Sequence, residues 1–179
     1  MQTLSSVNSY AGKTAVVIGG GVIGASWAAL FLVNGLKVII SDPDPEIESK
    51  AGALIAAALP ALKALGYKAT DVEANLSFEK DNAKAVAKAD IVQECAPEKV
   101  EFKQALWKTI EEAAPKHALL FSSSSTIPAS AQFTQMVDQS RLLIGHPFNP
   151  PHLMPLVEVV PTPKTDPEIT AKALAFYRG

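Results

Sequence analysis

Residues 14–42, TAVVIGGGVIGASWAALFLVNGLKVIISD, constrain this chain more than any other stretch. Thr14–Ile18 is a short apolar run rich in β-branched residues, which suits a buried strand. It breaks into Gly19-Gly20-Gly21-Val22-Ile23-Gly24, a G-x-G-x-x-G, and continues into an apolar segment over 25–33. Asn34-Gly35 then supplies a helix stop. Lys37–Ser41 reads as a second strand, and an acid, Asp42, stands at its end. Strand, glycine turn, helix and strand in that order make a βαβ unit.

Glycines at this spacing also occur in ordinary loops. With a strand before, a helix after and an acid about 20 residues on, they form the fingerprint of a dinucleotide site. Gly19 allows the tight turn, Gly21 lets the backbone approach a pyrophosphate, and Gly24 lets the helix pack on the strand. The helix N-terminus, with Val22 and Ile23 in its first turn, offers N–H groups and a positive dipole end to phosphate. Asp42 is placed to accept hydrogen bonds from a ribose and to repel a 2′-phosphate. NAD is therefore the expected cofactor, rather than NADP.

Beyond this unit, apolar strands alternate with helical stretches. Strands are expected near 76–78, 90–93, Leu119–Ser122, 142–145 and 156–160. Helices are expected from Pro45, capped by Asp44, to near Gly66, and over 81–88 and 100–114. Two further helices are expected, one from Pro128 and one over 167–177. Pro60 should kink or split the helix that starts at Pro45, and Phe102, Leu106 and Ile110 mark the apolar face of the helix over 100–114. The pattern predicts an α/β fold: a Rossmann-like, doubly wound, mainly parallel sheet over 13–179, with residues 1–12 as a lead-in.

At 179 residues with net charge −2, the balance favours neither nucleic acid nor an anionic membrane as partner. Cys95 is the only cysteine, which fits a reducing cytoplasm. No apolar run reaches membrane-spanning length, and the first residues lack the marks of a secretory signal. No metal site is expected.

A second constellation lies at 146–158. His146 and Glu158 stand twelve apart, on two strands joined by a proline-rich loop. Glu158 sits in the apolar run LVEVV, where an unpaired carboxylate would be costly to desolvate, so an imidazole on the next strand is its natural partner. Such a carboxylate fixes the tautomer and raises the basicity of the other ring nitrogen. Spacing alone equally allows a solvent-facing Glu158 and a core His146. His152 reads as a loop residue and His117 as a helix-end surface residue.

Three segments, PEKVEFK, SSSST and HPFNPPHLMPLVEVV, resemble the NAD-binding domain of the 3-hydroxyacyl-CoA dehydrogenase family, a likeness covering nearly the whole chain. Within that family they resemble the branch of lambda-crystallin (gulonate 3-dehydrogenase) and carnitine dehydrogenase. The resemblance implies NAD-dependent oxidation of an L-3-hydroxyacyl substrate. It makes His146 the catalytic base, Glu158 the acid that orients it, and Ser125 a hydroxyl that contacts substrate and cofactor. It places Asn149 near the nicotinamide and makes Glu98 and Lys103 cofactor-side contacts, where otherwise a solvated helix face would be expected.

The family also carries an all-helical C-terminal domain that forms a homodimer and walls the active-site cleft. This chain shows no such segment, so it is expected to bind NAD but to turn over poorly by itself. Fatty acyl-CoA members have a longer, lysine-rich segment after the second strand; here that segment is short and rich in alanine, which argues against CoA. The rival readings are a dehydrogenase of a small 3-hydroxy acid or of carnitine, and a non-catalytic nucleotide-binding or structural protein. The set Ser125, His146 and Glu158 argues against the last.

Overall fold

The computed structural model describes residues 10–179. The N-terminal lead-in up to residue 9 lies outside the described residues. Seven strands form one sheet: β1 (Thr14–Ile18), β2 (Lys37–Ser41), β3 (Leu76–Glu79), β4 (Ile91–Glu94), β5 (Leu119–Ser122), β6 (Leu142–Pro147) and β7 (Val157–Val160). Their order is β3-β2-β1-β4-β5-β6-β7. All neighbours are parallel except β6 and β7. Among the described residues there are six α-helices, α1 (Val22–Val33), α2 (Ile47–Ala64), α3 (Asn82–Val86), α4 (Val100–Ala113), α5 (Ala129–Gln132) and α6 (Pro167–Arg178), and a short 3-10 helix over Phe133–Gln135.

The doubly wound reading of the sequence is met. The central strands are hydrophobic on both faces because both faces are covered, as parallel sheets require. One core layer joins Val17, Val38 and Phe121 to Trp27, Leu32 and Phe176; the other joins Val16, Val92 and Leu120 to Leu106, Trp107 and Ile110. The winding reverses between β1 and β4, which opens a crevice at the carboxyl ends of those two strands.

Three local expectations are corrected. Helix α2 begins at Ile47, two residues after Pro45. Asp44 accepts from Glu46 N–H at 2.9 Å and from Lys50 at 2.8 Å, so it closes the preceding turn and does not cap the helix. Pro60 does not split α2. Pro60 and Ala56 are both exposed, so water can satisfy the Ala56 carbonyl that the proline leaves without a donor. On α4 the buried face runs through Lys103, Leu106, Trp107 and Ile110, whereas Phe102 is 48% exposed. Leu106 and Ile110 lie on the buried face as expected, but at its N-terminal end Lys103 takes the place expected of Phe102, which brings a lysine inside.

Candidate active site

The glycine turn carries β1 into α1 at the crevice. Gly19 has φ +93°, a left-handed conformation, and a Cβ there would stand 2.8 Å from the Cys95 carbonyl oxygen. A Cβ on Gly24 would overlap the Gly19 carbonyl oxygen, so this glycine sets how closely helix and strand approach. Gly20, given no role by the fingerprint, is also confined: its Cβ would meet the Ile47 side chain at 2.6 Å. Gly21 differs, since a Cβ there meets nothing within 4 Å. It caps α1 with no side-chain hydrogen bond and no acid in the first turn. Val22, 61% exposed, follows it into solvent with Ile23 beside it. The first N–H groups of a helix lack intrahelical partners, so this terminus suits an anion. Asp42 is half-buried; its carboxylate accepts from Gly20 N–H and Asp44 N–H, each at 2.9 Å. The acid therefore also pins the turn it adjoins. These glycines and this acid fit the pyrophosphate and ribose of NAD.

Across the crevice, a cleft of about 160 Å³ is lined by Ile23, Cys95, Glu98, Lys103, Ser124 and Ser125, among others. Its floor is an ionic network that the sequence reading did not foresee. Glu94, wholly buried at the end of β4, accepts from Lys103 Nζ at 2.6 Å and Ala96 N–H at 2.7 Å. Its other oxygen accepts from Ser122 Oγ at 2.6 Å. Burial pushes its carboxyl pKa up, against the pull of these donors. Lys103 is 1% exposed, so it is no part of a solvated helix face. Its ammonium also lies 3.4 Å from Glu98 Oε2. Glu98 binds Ser124 Oγ at 2.8 and 2.9 Å and accepts from Ser125 N–H at 2.9 Å. Burial opposes its charge, but these serine donors and Lys103 win and hold its carboxyl below the usual range. Ser125 itself is exposed at the rim. Beside it, burial raises the Cys95 thiol pKa to about 12, so this cysteine is no thiolate.

One strand further along, β6 delivers His146. Antiparallel β7 places Glu158 directly opposite, with Nδ1 and Oε2 2.8 Å apart. The reason given from sequence is corrected: the Glu158 side chain is 56% exposed, so strand register and not desolvation makes the pair. Asn149 is exposed in the following loop. That loop is tied down by two groups the sequence reading left without a role. Ser26 Oγ on α1 lies 2.7 Å from His152 Nδ1 and accepts from His152 N–H at 3.0 Å. Burial lowers the pKa of His152. His117 is a surface residue as expected, 68% exposed and 3.4 Å from Asp90. A larger apolar cleft of about 530 Å³ lies between α1, α6 and the loop, lined by Trp27, Phe31, His152 and Met154 among others; neither the glycine turn nor His146 contributes to it.

The comparisons with known proteins agree with this fold. The model of the 3-hydroxyacyl-CoA dehydrogenase NAD-binding domain matches residues 14–179. A 3-hydroxyacyl-CoA dehydrogenase of Gibberella moniliformis is 45% identical over 169 residues, 93% of this chain and 52% of that protein. An L-carnitine dehydrogenase of Mesorhizobium japonicum is 42% identical over 164 residues, 91% of this chain and 45% of the relative. Among solved structures, (S)-3-hydroxybutyryl-CoA dehydrogenase from Ralstonia eutropha superposes with a TM-score of 0.84 at 25% identity, covering 93% of this chain and 60% of that one. The chain thus spans about half the length of the curated relatives it matches. By its matched residues and its fold, it belongs to the 3-hydroxyacyl-CoA dehydrogenase family and carries that family's NAD-binding domain.

Proposed function

We propose that the protein oxidises the hydroxyl of an L-3-hydroxyacyl substrate to a ketone with NAD, His146 acting as general base. The observation that carries this reading is the cross-strand pair His146–Glu158 at 2.8 Å. Glu158 on Nδ1 leaves Nε2 to face substrate and supports the imidazolium formed when it takes the hydroxyl proton. NAD, when bound, accepts the hydride from the same carbon. Gly19, Gly21, Val22, Ile23 and Gly24 hold the pyrophosphate, and Asp42 the adenosine ribose. The cleft bounded by Glu98, Lys103 and Ser125 receives the nicotinamide, with Asn149 near it. Ser125, fixed through its N–H by Glu98, offers its hydroxyl to the substrate oxygen.

The parent protein is proposed to be a cytoplasmic homodimer acting on a small molecule. A second reading, oxidation of carnitine or a small 3-hydroxy acid such as gulonate, draws on the alanine-rich sequence of α2 and on the carnitine dehydrogenase relatives. A panel of 3-hydroxybutyryl-CoA, carnitine and gulonate with NAD and the full-length protein, following the nicotinamide absorbance, separates the readings. Turnover of none of them, with NAD bound, would leave only a nucleotide-binding role.

A further inference from the structure

The network beneath the 160 Å³ cleft does more than brace a loop. It holds three ionisable groups in a chain: Glu94 to Lys103 at 2.6 Å and Lys103 to Glu98 at 3.4 Å. Glu94 and Lys103 are sealed from water, with side chains 0% and 1% exposed, so their charges are little screened. Glu98 forms the wall, 40% exposed and held in place by Ser124 and Ser125. An ion pair alone would make this floor neutral. The third group does not.

We propose that Glu94, Lys103 and Glu98 set the charge of the nicotinamide pocket: two carboxylates against one ammonium leave one net negative charge, which favours the oxidised, cationic ring over the neutral reduced one. This rests on the reading of the cleft as the nicotinamide subsite. The preference works on both steps of a turnover. It draws in NAD, and after hydride transfer it removes the electrostatic hold on the ring, so NADH leaves more easily. Glu94 acts here through Lys103 and is a positioning residue; Glu98 faces the ring.

The test is equilibrium binding of NAD, NADH and ADP-ribose, which lacks the nicotinamide, to wild type, Glu98→Gln and Glu94→Gln. Glutamine keeps an oxygen for the Ser125 N–H and removes the charge. The expected result is about a tenfold loss of NAD affinity relative to NADH in each variant, smaller than the full interaction of unit charges at contact near a protein surface. ADP-ribose affinity should hold within about threefold of wild type, at most about 0.65 kcal/mol. If NAD and NADH weaken together, the network is only structural and the inference is overturned. If wild type binds NAD, NADH and ADP-ribose with one affinity, the ring does not enter the cleft, and the subsite reading itself is what fails. Should Glu94→Gln fail to fold, the partly exposed Glu98→Gln decides the question alone.

Discussion

Gly21 and Gly24 stand three residues apart in one turn, yet their missing side chains answer to different demands. A Cβ on Gly24 would overlap the Gly19 carbonyl, whereas a Cβ on Gly21 meets nothing in the protein within 4 Å. Gly24 is needed by the fold, and Gly21 is left open on the side where a ligand approaches.

Gly24→Ala should therefore fail to fold or lose several kcal/mol, since backbone and not a flexible side chain stands in the way. Thermal unfolding checks this, and a melting temperature within a degree or two of wild type would contradict it.

Asp42 carries a charge and two hydrogen bonds at once. Asp42→Asn, which removes the charge and keeps the shape, should narrow the preference for NAD over NADP by about tenfold, or ~1.4 kcal/mol. Titrating both cofactors into both proteins measures it. Equal affinity of wild type for the two cofactors would remove the role given to this residue.

His146→Gln in the full-length protein should lower kcat by about 10²–10⁴ and leave NAD affinity unchanged. Glu158→Gln should lower kcat less and move the pH–rate profile, because Nδ1 loses the charge that supports the imidazolium. An unmoved profile would reduce the pair to a structural contact.

The pair also shows what the sequence could and could not tell. Twelve-residue spacing across a loop left it open whether His146 and Glu158 pair; the family resemblance pointed to the pair, whereas the burial expected for Glu158 is not found, its side chain being 56% exposed. In an edge hairpin the register aligns two side chains on one face whether or not water reaches them. The βαβ unit was legible because turn, helix and acid are neighbours in sequence. Glu94 was not, because its partners Lys103 and Ser122 lie 9 and 28 residues away. Two signals were present. Glu94 closes the short strand β4 and runs on into Cys95 and Ala96, and Lys103 precedes Leu106, Trp107 and Ile110 at helical spacing on the buried face. Ser26 and His152, 126 residues apart, left no local signal.

Asp90 anchors the start of β1 by accepting from Thr14 N–H at 2.8 Å, with Lys13 at 3.3 Å. Burial opposes its charge, but the Thr14 N–H and Lys13 outweigh it and lower its pKa. A carboxyl lowered in the folded state stabilises the fold above the unfolded value of about 3.9, and this stability is lost as pH falls through the folded pKa. Asp90→Asn should thus be less stable than wild type near neutrality, with the gap closing at acid pH. Urea midpoints across pH measure it; a gap that grows on acidification would refute the assignment.

The central claim is that the glycine turn and the crevice beside it hold NAD, and Gly21→Ala tests it most directly. Calorimetric titration with NAD should show saturable binding to wild type and a loss of at least about tenfold in the variant, or ~1.4 kcal/mol. Its melting temperature without ligand should stay close to that of wild type, because the added methyl meets no protein atom within 4 Å. A variant that melts like wild type and binds NAD equally well would place the cofactor elsewhere and contradict the account.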